Sequence, residues 1–146
     1  MTFLEIKKID YSDEAEVYQV TKFVVENAEG INWNPKMEKY IMAAETTNDW
    51  PVKYTLGKER RPEVKQFILG EVETLDEFII KHREQKLTHI VVDEYSKSTL
   101  SEVYHHEEKF PYLEKIYESK EHGYDYDMKL YKINYDNFVK HTLSIN

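Results

Sequence analysis

Apolar residues recur at Val17, Val20 and Val24, three and then four positions apart, with Phe23 beside them. That period puts them on one stripe of an amphipathic helix over residues 13–28. Ser12-Asp13-Glu14 offers an N-cap and acidic residues for its first turn, and Gly30 sits where a C′ glycine would end it. Ahead of the helix, Phe3 to Ile9 alternates imperfectly and is expected as a mixed strand.

From Ile31 to Pro62 the pattern is weaker. Ile31-Asn32-Trp33-Asn34-Pro35 reads as a strand end running into a turn. The short apolar run Tyr40-Ile41-Met42-Ala43-Ala44 fits either a helix or a strand, because periodicity cannot decide so short a run. Asp49-Trp50-Pro51 and Gly57 to Pro62 are turn or loop sequence.

Beyond Glu63 the elements sharpen. Val64 to Val72 is rich in β formers, and Thr74-Leu75-Asp76-Glu77 is a capping box opening a helix to about Lys86. Thr88 to Asp93 holds a continuous apolar run, the kind covered on both faces of a parallel sheet. Strand, helix and strand make a βαβ unit. A further helix from Ser98 runs through Leu100, Val103 and Tyr104. Leu113 to Ser119 and Tyr124 to Ile133 read as a hairpin, with Tyr124, Tyr126, Met128 and Leu130 on one face and Asp125, Asp127 and Lys129 on the other. Asp136 to Leu143 forms a terminal helix. The expected fold is α/β: a single three-layer domain over residues 1–146, its mixed sheet built on a central parallel βαβ unit and a C-terminal antiparallel hairpin.

Composition agrees with a packed domain. At 146 residues, with 40% hydrophobic and 14% aromatic residues, the chain can bury a core without disulfides. It has no Cys, which removes thiolate metal sites and Cys nucleophiles together. A net charge of −8 repels phosphate backbones, and Lys58-Glu59-Arg60-Arg61 is too short and too diluted to form a basic patch, so no nucleic-acid partner is expected. Met1-Thr2-Phe3-Leu4 runs into Glu5 without an apolar signal region, and no apolar run approaches the roughly 20 residues of a membrane span.

Candidate chemistry is sparse. His105-His106-Glu107-Glu108 is dense in metal-capable groups, but neighbouring helical residues point about 100° apart and Lys109 occupies the i+4 position from His105. His122, Asp125 and Asp127 form a candidate metal set at the hairpin, weighed against a plain solvated face. Asp93 and Glu94 follow the buried strand, at the carboxyl end where open α/β sheets place ligands. Trp33 and Trp50, both in polar loop sequence, offer stacking faces for sugars. The four glycines form neither a GxGxxG nor a P-loop, and no Gly-x-Ser-x-Gly elbow exists, so no cofactor is implied and no catalytic set is assembled.

Several segments carry a resemblance. Val20-Thr21-Lys22-Phe23-Val24-Val25-Glu26-Asn27-Ala28 and Asn48-Asp49-Trp50-Pro51 look like the start of a soluble tail found in archaeal membrane glycosyltransferases. Leu75-Asp76-Glu77-Phe78-Ile79, Leu87-Thr88-His89-Ile90-Val91-Val92-Asp93, Glu107-Glu108-Lys109-Phe110-Pro111-Tyr112-Leu113, Glu118-Ser119-Lys120-Glu121-His122-Gly123-Tyr124 and Lys129-Leu130-Tyr131-Lys132-Ile133-Asn134-Tyr135 are similar to its later part. Such proteins resemble dolichyl-phosphate-mannose–protein mannosyltransferases, many spans followed by a C-terminal extracytoplasmic domain.

The resemblance covers roughly residues 12–138, and the family's acidic catalytic loop has no counterpart in this chain. It implies a non-catalytic accessory domain, detached or free-standing, on the outer face of the membrane. Its partners would be the membrane portion of a parent protein and a glycan or protein acceptor. The alternatives, read from the residues alone, are a metal-assisted hydrolase using Asp93, Glu94 or the His122 group, and a small-molecule binder at the strand ends.

Overall fold

The computed structural model describes the backbone of residues 3–46 and 64–145 and the side chains of 14–42 and 64–143. Five strands, β1 (Gly30–Asn32), β2 (Lys65–Phe67), β3 (His89–Asp93), β4 (Leu113–Glu118) and β5 (Met128–Ile133), form one mixed sheet in the order β2-β1-β3-β5-β4. β1 pairs parallel with both β2 and β3, while β5 runs antiparallel between β3 and β4. The fold is α/β, as the sequence predicts. The expected βαβ unit is β2, its helix and β3, with β1 lying between its two strands.

Five α-helices flank the sheet among the described residues: α1 (Phe3–Asn27), α2 (Pro35–Thr46), α3 (Leu75–His82), α4 (Thr99–His105) and α5 (Tyr135–Ile145). Strands alternate their side chains between faces, and here both faces are buried. Val91, Met128 and Leu130 pack with Val20 and Val24 of α1 and Met37 and Ile41 of α2. Ile90, Val92, Tyr131 and Ile133 pack instead with Phe78 and Ile79 of α3, Val103 of α4 and Phe138 of α5. The three layers follow from that division.

The cap on α3 is as expected: the Thr74 hydroxyl accepts from the Glu77 amide at 3.1 Å, satisfying one first-turn donor. Asn134 caps α5 in the same way, accepting from the Asn137 amide at 3.0 Å. The ambiguous run after Pro35 is helical. Asn34 accepts from the Lys36 and Met37 amides, and proline fits the first helical position because its missing N–H would have no partner there.

Three expectations need correction. Phe3–Ile9 is not a strand; α1 runs unbroken through it, so Ser12-Asp13-Glu14 lies inside the helix instead of capping it. The stretch mixes Lys7 and Lys8 with apolar residues on both alternating faces, so a half-buried strand would gain little there. Gly30 does not end the helix but opens β1, where a Cβ would lie 2.4 Å from the Lys86 carbonyl oxygen. Residues 124–127 are a bend, and β5 starts only at Met128. A one-turn 3₁₀ helix over Ser119–His122 ends at Gly123 in the left-handed region, and the Ser119 hydroxyl accepts from the Met128 amide at 2.7 Å. That side chain stands where a strand partner would, so the residues before Met128 stay off the ladder.

Candidate functional site

The chain leaves β1 through α2 to reach β2 on one side, then crosses back through α3 to β3 on the other. The two connecting helices cover opposite faces of the sheet. α4, which follows β3, packs on the face opposite α2, so the loops after β1 and β3 part at the carboxyl ends of these strands, the kind of topological switch point where open α/β sheets bind ligands. Only one residue pair, Ile31 and His89, joins β1 to β3 in the ladder. Past it the Asn32 side chain takes over, donating to the Val91 carbonyl at 2.9 Å and accepting from the Val91 amide at 2.7 Å.

Where the loops part there is a cleft of about 400 Å³, within the roughly 300–1,000 Å³ of small-ligand sites. Asp93 lies at the end of β3 and is only 5% exposed. Its carboxylate accepts from the Asn34 amide at 3.0 Å and from the Tyr95 backbone N–H at 2.7 Å. Its own amide donates to the Ser96 hydroxyl at 2.9 Å. Two of about four carboxylate acceptor positions are thus taken, and the group is fixed in orientation. Trp33, 38% exposed, lines the same cleft with Tyr95, Ile68 and Leu100. The Lys36 ammonium lies 5.3 Å from the Tyr95 ring centre and 4.5 Å from that of Tyr126, and those two rings stack. Burial, together with the adjoining Asp93 carboxylate, pushes the Tyr126 hydroxyl pKa far above its ordinary value.

The chain matches no family model, no curated protein and no solved structure.

Of the four residues expected to bind ligand, the fold brings Trp33 and Asp93 into one cleft. Glu94 is exposed and is not part of its lining. Trp50 lies outside the described residues, as do the expected turns at 49–51 and 57–62. The sequence reading missed Asn34, Lys36 and Tyr95. Asn34-Pro35 carried a usable signal, since that dipeptide is an N-cap followed by the favoured first residue of a helix.

The expected metal set does not assemble. His122 is exposed and stacks on Tyr117 with ring centres 4.6 Å apart, and Asp125 is exposed on the bend. Asp127 turns inward, accepting from the Tyr104 hydroxyl at 3.1 Å and the Lys120 amide at 3.3 Å. Among the described residues, no three His, Asp or Glu side chains converge as metal ligands. Burial and the neighbouring Glu118 carboxyl raise the Asp127 pKa. For Glu118, burial acts upward but is outweighed by the Lys115 ammonium, 2.7 Å away, and by the hydrogen bond with Asp127, so its pKa falls. Of the two carboxyls, Asp127 is the one whose protonated form the fold favours.

The other acidic cluster is structural. His105 and His106 are exposed with ring centres 6.4 Å apart, while Glu107 turns back to accept from the Tyr131 hydroxyl at 2.5 Å and from Lys115 at 3.3 Å. Burial opposes ionisation of Glu107, but these two donors prevail and lower its pKa.

Proposed function

We propose that this chain is a non-catalytic glycan-binding domain, the accessory tail of a membrane glycosyltransferase-like protein. Its ligand sits in the switch-point cleft between Trp33 and Asp93. Two things support the reading: the sequence resemblance to such tails, and the chemistry of the cleft. A pyranose ring has a C–H face that packs on an aromatic side chain and hydroxyls that donate to a fixed carboxylate. Trp33 and Tyr95 offer the first, and Asp93 offers the second.

The observation that carries the reading is this pairing of exposed aromatics with a buried, oriented carboxylate where the loops after β1 and β3 diverge. A metal-assisted hydrolase lacks comparable support, because His122, Asp125 and Asp127 point apart. In the proposed setting the domain lies on the extracytoplasmic face, beside the membrane portion of its parent, and presents or holds an acceptor glycan. No helix among the described residues is long and apolar enough to cross a membrane.

Titration of the ¹⁵N-labelled chain with mannose and glucose tests the reading. Shifts are expected at the Trp33 indole N–H and the Tyr95 and Ser96 amides, and Trp33→Ala should abolish them while keeping a folded spectrum. Unmoved signals across a broad panel of neutral sugars would remove the glycan.

A further inference from the structure

The cleft does not end at Ser98. A second cavity of about 460 Å³ adjoins it, and the two share Glu71 and Ser98 in their walls. One wall of both is the loop between β2 and α3: Ile68 to Glu71 face the first cavity, and Glu71 to Thr74 face the second. The opposite wall is the chain from Ser96 into α4, with Ser98 at the junction and Thr99 and Glu102 beyond it. The same two chain segments therefore line both cavities, which meet at Glu71 and Ser98.

Each compartment has its own aromatic surface, Trp33 and Tyr95 in the first and Phe110 in the second. Their electrostatics differ. Lys36 and Lys97 balance Glu71 and Asp93 in the first. The second has Glu71, Glu73, Asp76 and Glu102 against Lys109 and His141, and Lys109 is paired with Glu102 at 3.6 Å. Carboxylates accept hydrogen bonds from hydroxyls and repel anions.

We infer that the ligand is a neutral oligosaccharide of at least two sugar units, one ring on Trp33 and the next beside Phe110, and that uronic-acid or phosphorylated sugars are rejected at the second position. This rests on the glycan reading and names the substrate class for the same site. A repeated aromatic surface suits a repeating ligand, and an acid-lined second compartment suits one dense in hydroxyl donors and free of negative charge.

Calorimetric and NMR titration of the full chain with neutral manno- and gluco-oligosaccharides of one, two and three units tests the inference. A uronic-acid disaccharide and a Ser/Thr-rich peptide serve as comparison probes. The disaccharide should bind about tenfold more tightly than the monosaccharide, moving amides at Ser98 and Phe110 that the monosaccharide leaves in place, and the uronate disaccharide should lose that gain. Phe110→Ala should cancel the gain and leave monosaccharide binding intact. Because Phe110 also contacts Tyr112 in the core, Glu102→Ala, on an exposed helical position, provides a second variant with the same expected result. Equal affinity for one, two and three units overturns the second compartment and leaves the first standing. Binding of the peptide alone, or of no probe, overturns the glycan reading and this inference with it.

Discussion

The Asn34 side-chain amide donates to the Asp93 carboxylate at 3.0 Å, across 59 residues of sequence. The same Asn34 accepts from the first amides of α2, so one side chain caps a helix and ties together the two loops that frame the cleft. Asn34→Asp separates the two roles. Aspartate caps as well as asparagine, but it places a second carboxylate against Asp93. The variant should lose about 1–3 kcal/mol of stability at pH 7. Sharing a proton relieves like-charge repulsion and raises the pair's proton affinity above that of the unfolded chain, so the loss should shrink on acidification. Denaturant titrations at pH 7 and pH 4.5 measure it, and an equal loss at both would mean that repulsion between the two carboxylates is not its cause.

Asn34→Ala removes both roles at once. It should cost about 1–3 kcal/mol through the lost cap and the Asp93 oxygen left without its donor. It should also weaken sugar binding at Trp33, because Asp93 then keeps only its Tyr95 amide donor and is held less firmly. A variant that is destabilised but binds normally would show that the carboxylate plays no part in recognition.

Gly30 is fixed by proximity. Its amide and carbonyl lie within hydrogen-bond reach of the Thr88 hydroxyl, and the Lys86 carbonyl passes directly over its Cα. Gly30→Ala should destabilise the fold by about 1–3 kcal/mol through overpacking. Equilibrium unfolding decides this: a neutral or stabilising result would mean the 86–88 turn can retreat from β1.

How much of this was readable in the sequence varies with the range of the interaction. α3 was, because Thr74 and Glu77 act on each other three residues apart and Leu75, Phe78 and Ile79 repeat at helical spacing. β3 was, because a strand covered on both faces needs apolar residues at successive positions. Asp93 could be anticipated as a site residue from its place at the end of that strand, but its partner Asn34 could not, since only the crossing of the sheet brings them together. The hairpin misled for the same reason. Alternation put Asp127 outside beside Asp125, but the Ser119–Met128 hydrogen bond across the turn moves the strand start to Met128, and Tyr104, 23 residues away, draws Asp127 inward. Phe3–Ile9 failed locally, because alternation that leaves lysines on both faces specifies no strand.

The Asp127–Glu118 pair gives the fold a characteristic pH dependence. Asp127 has a folded pKa above its unfolded value of about 4. The stability it contributes is complete below that unfolded value and is lost as pH rises through the raised one. Glu118 and Glu107 have lowered pKa values, so their contributions hold above the ordinary carboxylate range and are lost as pH falls through the folded values. The two effects oppose each other, and the combined contribution of these three groups should be greatest in mildly acidic solution. Asp127→Asn removes only the first. An amide in that place can still accept from Tyr104 and can donate to Glu118 without a shared proton. The variant should differ little from the parent near pH 4 and become progressively more stable than it as pH rises towards 7. Unfolding free energies at pH 4, 5.5 and 7 test this directly. A parent–variant difference that stays constant over that range would mean Asp127 ionises freely in the fold, and its raised pKa would have to be abandoned.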